Sequence, residues 1–170
     1  MKFDIQKFSS KYIVKSLLKE DISEVYSLCK ANVQYYEYMK MEPNIENLTE
    51  CLNALPPNKT QDDKFFVGFY KEEKLVAFLD LIAGYPDIDT AYIGWFMVNR
   101  EFQGQKIGTE IIQELFDFLK EENFRYIELG CIKGNKEAEG FWSKNGFHFF
   151  GSEVEEEHYI IRRMKREIGD

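Results

Sequence analysis

Between Val98 and Ile112 the chain reads VNREFQGQKIGTEII, which places Gly104, Lys106 and Gly108 between an apolar run and an amphipathic one. Those residue types suit one piece of chemistry, the holding of an anion. A helix beginning near Gly108 presents unpaired N–H groups and the positive end of its dipole. The glycines let a ligand approach the backbone, and Lys106 adds a full charge. The turn is not a P-loop, because Gly104-Gln-Lys-Ile-Gly108-Thr lacks the four-residue gap and the Gly-Lys-Ser/Thr ending. Nor is it a dinucleotide fingerprint, since GxGxxG is absent. A turn that merely joins strand to helix is the plain alternative.

Groups able to move protons are scattered. Glu128 and Asp80 each interrupt an apolar β-type run. A carboxylate there faces solvent, the usual case, or sits inside a cleft with a raised pKa. Tyr92 and water chains complete the set of candidate general bases. His148 lies between Phe147 and Phe149, and His158 ends an acidic run. Neither has a partner at metal or triad spacing, so both read as structural and no metal is expected. Cys29, Cys51 and Cys131 show no CxxC or ligand spacing and read as reduced thiols.

The apolar pattern supplies a scaffold for these groups. Tyr12 to Leu17 is a strand, followed by a helix from Asp21 with Ile22, Val25, Leu28 and Cys29 at helical spacing. A second helix follows Pro43, with Ile45, Leu48, Leu52 and Leu55 on one face and Pro56-Pro57 ending it. Phe65 to Tyr70 and Leu75 to Ile82 form a hairpin across the polar KEEK, and Ala91 to Val98 is a third long strand. Past the turn, Ile111, Ile112, Leu115, Phe118 and Leu119 make an apolar helix stripe, and Tyr126 to Cys131 is a strand. This strand, helix, strand order is a β-α-β crossover with parallel strands. Asn135 to Asn145 is a short helix closed by Gly146. Phe147 to Phe150 and His158 to Arg162 pair antiparallel around the acidic turn Glu153 to Glu157. The expected fold is mixed α/β: a central twisted sheet of about six or seven strands with one crossover, flanked by about four helices.

The bulk composition narrows the class. With 170 residues, 44% of them hydrophobic, the expectation is one domain over residues 1–170. The formal net charge of −8 argues against nucleic acid as a partner. It suits a cationic small substrate, or simply a soluble surface. The N-terminus has no signal-peptide h-region, and no apolar run approaches the roughly 18 residues of a membrane helix. The expected location is the cytoplasm, with no membrane contact.

Val98-Asn-Arg-Glu-Phe-Gln103-Gly-Gln-Lys106-Ile-Gly108 resembles the pyrophosphate loop of the GCN5-related N-acetyltransferases, the GNAT superfamily. That motif reads Gln/Arg-x-x-Gly-x-Gly/Ala after a strand ending in Val or Ile. Gln103, Ile107 and Gly108 match, whereas Lys106 stands where the motif has its first glycine. A second block, IELGCIKGNKEAEGFWSKNGF (Ile127 to Phe147), resembles the family's later strand, its coenzyme-facing Asn and its helix ending in Gly-Phe.

The resemblance implies an N-acetyltransferase that uses acetyl-CoA as cosubstrate and a small-molecule or peptide amine as acceptor. Backbone amides of Gln103, Gly104, Gln105, Lys106, Ile107, Gly108 and Thr109 would grip the pyrophosphate. Phe96, Met97 and Val98 would bond the pantetheine arm and acetyl group through their backbone, with Asn135 contacting the coenzyme from the other side. Many relatives place a Tyr on the later helix to protonate the departing thiolate; the matching position is Trp142, whose indole donates a hydrogen bond but is no useful acid. Trp142 therefore reads as packing or as lining of the coenzyme cleft, and the general acid stays unassigned. A non-catalytic coenzyme A-binding or sensor domain is the alternative. Cys131 as a nucleophile is set against the direct transfer that the resemblance implies. In VQYYEYMK (Val33 to Lys40), Tyr35, Tyr36 and Tyr38 either line the acceptor site and stack on a cation or pack a helix face on the sheet. A homodimer is common in the family.

Overall fold

The computed structural model describes residues 2–169. Its strands are β1 (Ile13–Ser16), β2 (Lys64–Lys71), β3 (Lys74–Ala83), β4 (Thr90–Val98), β5 (Tyr126–Ile132), β6 (His148–Phe149), β7 (Val154–Glu155) and β8 (Ile160–Glu167). Its α-helices are α1 (Ile22–Ala31), α2 (Val33–Met39), α3 (Ile45–Asn53), α4 (Ile107–Glu121) and α5 (Lys136–Lys144). The strands form one sheet in the order β1-β2-β3-β4-β5-β8-β6, with β7 also on β8. Among the described residues only β4 and β5 run parallel, joined through α4. Among the described residues no helix is long and apolar enough to cross a membrane.

The runs FFVGFY and LVAFLDLI are apolar on both faces because both faces are covered. On one side the α4 stripe of Ile111, Ile112, Leu115, Phe118 and Leu119 packs with Phe69, Leu79, Ile93 and Ile127. On the other, Ile22, Val25, Leu28 and Cys29 of α1 and Leu48 of α3 pack with Phe66, Phe78 and Met97. Each such side chain, fully buried, contributes roughly 1.5–3 kcal/mol of transfer free energy. These two layers fix where the sheet ends lie, and so where β4 and β5 open.

The described residues hold slightly more elements than expected: eight strands against about six or seven, and five α-helices against about four. The extra helix is α2, a seven-residue element between Asn32 and a left-handed Lys40 (φ 54°). Its aromatic, β-type composition hides a helical face on which Tyr36 is buried. The extra strand is β7, two residues inside the acidic turn, where Val154 pairs with Ile161. The last strand runs on past Arg162 to Glu167, because β5 offers partners as far as Tyr126. Asp21 precedes α1, but its carboxylate accepts from the Leu18 N–H at 2.8 Å rather than from the first turn of the helix.

Candidate active site

Strands β4 and β5 pair only from Thr90 with Tyr126 to Ile93 with Leu129, and then part. The cause lies in β4. Leu81 faces Ile93 and Asp80 faces Trp95, so Gly94 is an extra, unpaired residue, a bulge that bends the strand. The gap between the parted strands is the waist of a cleft of about 1620 Å³. That exceeds the roughly 300–1,000 Å³ that suits a drug-sized ligand. It runs from the turn before α4, past Phe96, Val98 and Ile132, to α2 and the β7–β8 turn.

Backbone direction along β4 follows from one bond. The Asn99 N–H donates to the Val76 C=O at 2.7 Å, so alternate residues Met97 and Trp95 also turn their backbone groups toward β3. Phe96 and Val98 turn theirs toward the cleft. Met97 turns its backbone to the ladder and its side chain is buried beneath α1 and α3, while it also borders the cleft.

The turn keeps its donors free. The first backbone bond of α4 runs from the Glu110 N–H to the Lys106 C=O at 3.0 Å, and the N–H groups of Gly104 to Thr109 make no such bond among the described residues. Gly104 has φ 75° and nothing within 4 Å of a Cβ placed on it, so it is needed for its conformation. Gly108 is needed for space: a Cβ there would lie 3.1 Å from Val98 and 3.2 Å from Phe141. The side chain of Gln103 is tied down within the protein. Its Nε2 donates to Asn32 Oδ1 at 2.6 Å and to the Val98 C=O at 2.9 Å, which ties the turn to the end of α1 and to β4. Asn32 Nδ2 donates to the same carbonyl at 3.2 Å.

Lys106 sits at φ 64°, the left-handed conformation that a glycine adopts without cost. Lys106→Gly removes about 1 kcal/mol of strain. It also gives the unfolded chain freedom worth about 0.4–1 kcal/mol. These nearly cancel, and the expected change in Tm, read by thermal unfolding, is under about 2 °C.

On the facing side, Asn135 is 4% exposed and caps α5, its Oδ1 accepting from the Ala138 N–H at 3.1 Å. It lines the cleft with that oxygen already engaged. Trp142 is packing: its ring meets Phe96 at 6.0 Å, Phe141 at 4.9 Å and Phe147 at 5.1 Å, while one edge borders the cleft.

Residues 24–147 match the family described as acetyltransferase (GNAT). The chain belongs to the GNAT acetyltransferase family. Its enzyme class is thus that of an acyl-CoA-dependent acetyltransferase. A solved acetyltransferase from Thermus thermophilus superposes with a TM-score of 0.73 at 17% identity, over 91% of this chain and 95% of that one. The ribosomal-protein-S18-alanine N-acetyltransferase of Escherichia coli gives 0.68 at 15% identity, over 92% and 94%. The PaiA N-acetyltransferase of Thermoplasma acidophilum, solved in complex with coenzyme A, gives 0.65 at 18%, over 91% and 97%. At these identities the likeness establishes the fold. The curated proteins hold no match.

Within this GNAT fold the carboxylates take positions the sequence left open. Both lie off the solvent face. Glu128 is 3% exposed and paired with Lys165 at 3.1 Å and Arg163 at 3.4 Å. Asp80 is clamped by Lys64 Nζ at 2.8 and 2.9 Å, and burial raises its carboxyl above the usual range despite the lysine. Local sequence could not reveal these partners. Tyr92 lines the cleft beside Glu128 and Arg163, its phenol raised by burial. Cys131 is buried and its thiol is pushed up to about 12, which leaves almost no thiolate near neutrality. His148 and His158 are exposed. Of the three tyrosines, Tyr35 lines the cleft, Tyr36 is core, and Tyr38 borders a neighbouring hollow. Sequence reading missed Asn32, and it missed that Arg100, Lys136 and Lys144 join Lys106 along the cleft. A helical spacing of Lys136 and Lys144 in the second motif block was the available signal.

Proposed function

We propose that the protein transfers the acetyl group of acetyl-CoA to a primary amine by direct attack. The observation that carries this reading is the run of free amides from Gly104 to Thr109 at the mouth of a gap between two parted parallel strands. Donors of that kind suit a pyrophosphate. Arg100 and Lys106 at the turn and Lys136 and Lys144 of α5 border the same cleft and suit an anionic cosubstrate, while Glu37, Glu128, Glu137 and Glu156 also line it. The fit extends to the gap itself, where the inward N–H groups of Phe96 and Val98 suit the pantetheine arm and the carbonyl oxygen of the acetyl group.

The acceptor must lose a proton before it attacks, because an ammonium of pKa about 10.4 leaves less than about one part in a thousand neutral at pH 7. Two of the candidate bases, Glu128 and Tyr92, line the cleft, and Asp80 is held by Lys64. Direct attack is supported by the protonated state of Cys131. The amine nitrogen bonds to the acetyl carbon, the C–S bond breaks, and the sulfur leaves with its electron pair.

The test is release of the coenzyme A thiol from acetyl-CoA in the presence of diamines, amino-acid amides and peptides with free N-termini. Acceptor-dependent release with at least one class is expected. Coenzyme binding without release across the whole panel would replace this reading with that of a coenzyme A-binding sensor.

A further inference from the structure

A single residue separates α1 from α2. Asn32 ends the first helix and starts the second, at φ −93° and ψ 58°, and is 8% exposed on the wall of the cleft. Every polar group of its side chain is engaged. Nδ2 gives one hydrogen to the Leu28 C=O at 3.0 Å and the other to the Val98 C=O at 3.2 Å. Oδ1 accepts from Gln103 Nε2 at 2.6 Å, and Gln103 Oε1 accepts from the Arg100 guanidinium at 2.9 Å. This chain of bonds starts on a cation beside the turn, crosses the end of β4 and stops where two helices meet. A polar network with every member satisfied is stiff, and its bonds polarise one another. Beyond the junction, α2 carries Tyr35, Glu37 and Met39, which line the cleft at the end away from the turn. The Tyr35 ring stacks on Trp95 of β4, 6.0 Å away and 24° from parallel.

Resting on the acetyl-CoA reading above, we infer that Asn32 is a positioning residue that couples the two ends of the cleft. Through Gln103 it holds the turn in the form that grips the cosubstrate. Through the α1–α2 junction it sets α2 over the acceptor end. Occupation of the turn then steadies α2, and a steadied α2 presents a ready turn, because a coupling free energy acts equally in both directions. The acceptor side is thereby set only when the cosubstrate is in place. Asn32 acts through its partners and takes no part in the bond changes.

Because the acceptor is unidentified, the test needs only coenzyme A. Amide hydrogen exchange over Val33–Met39 is measured with and without saturating coenzyme A in the wild type, Asn32→Leu and Gln103→Met. The variants cut the link at different bonds. Gln103→Met leaves the bonds from Asn32 to Leu28 and Val98 in place, so it carries the test even if Asn32→Leu does not fold. In the wild type, coenzyme A is expected to slow exchange over α2 at least about 5-fold, the lower end of ordinary coupling. In both variants that ratio is expected to fall to about one, while the amides from Gly104 to Thr109 stay protected by the ligand. Coenzyme A affinity should weaken roughly 2- to 10-fold in each, the worth of one lost hydrogen bond. A purely structural Asn32 would loosen α2 equally with and without ligand and leave the ratio intact. An unchanged ratio in either variant, or no slowing over α2 in the wild type, would overturn the inference while leaving the acetyl-CoA reading intact. Failure of the wild type to bind coenzyme A would remove both.

Discussion

Gly108→Trp is expected to weaken acetyl-CoA binding by roughly 10²- to 10⁴-fold, the loss of two charge-assisted contacts worth about 1.5–3 kcal/mol each. The site has no room to give. A single Cβ would already lie 3.1 Å from Val98 Cγ2 and 3.2 Å from the Phe141 ring, one on each wall of the cleft. An indole there must either push α5 from β4 or swing into the space in front of the free amides. Either movement spoils the geometry that a pyrophosphate needs. Gly108→Ala is the graded control: its methyl requires a shift of only a few tenths of an ångström, and a modest loss of affinity is expected. Thermal unfolding of both variants separates a blocked site from a collapsed fold. Unchanged affinity in a folded Gly108→Trp would place the ligand elsewhere.

Lys64→Ala should be among the most damaging single changes to stability, costing about 3–5 kcal/mol because it leaves a buried carboxylate without its counter-charge. The Lys64 side chain is 2% exposed and that of Asp80 14%. For a chain of this length, that corresponds to a fall in Tm of roughly 6–20 °C. The effect has a pH signature. Burial raises the folded-state pKa of Asp80 and Lys64 opposes the rise. A group raised in this way contributes fully below its unfolded pKa of about 3.9, and its contribution is lost as pH climbs through the folded value. Removing Lys64 lifts the folded value further. The deficit of Lys64→Ala should therefore be small in acid and grow toward neutral pH, as melts across that range will read. The double variant Lys64→Ala/Asp80→Ala should regain much of the loss, since no charge is left buried. A deficit independent of pH, or a double variant worse than the single, would show that the ion pair is not what holds this corner.

What could be read from the sequence depended on whether the deciding contact was local. Helix α4 was legible because Ile111, Ile112, Leu115, Phe118 and Leu119 repeat with helical period, and all are buried. Gly146 was legible as a helix stop, and it adopts φ 83°. The turn before α4 was legible through its glycines, although the two serve different ends: conformation at Gly104, space at Gly108. Helix α2 stayed one of two open readings, because VQYYEYMK is rich in β-type aromatics and ends on a left-handed lysine in place of glycine. The state of Glu128 was hidden for another reason. Its partners Arg163 and Lys165 lie on β8, far along the chain, and only the β5–β8 register brings them together. Gln103 was found by motif, but its partners could not be: it clasps Asn32 and the Val98 carbonyl, which lie far along the chain or across the turn.

The central claim, that the amides from Gly104 to Thr109 and the gap between β4 and β5 form an acetyl-CoA site, is tested most directly by isothermal titration of the wild-type protein. Acetyl-CoA and coenzyme A should bind with similar stoichiometry, while ATP and NAD, which lack the pantetheine arm that fills the gap, should bind far more weakly or not at all. Absence of binding heat with acetyl-CoA, or equal binding of ATP and NAD, would contradict the account.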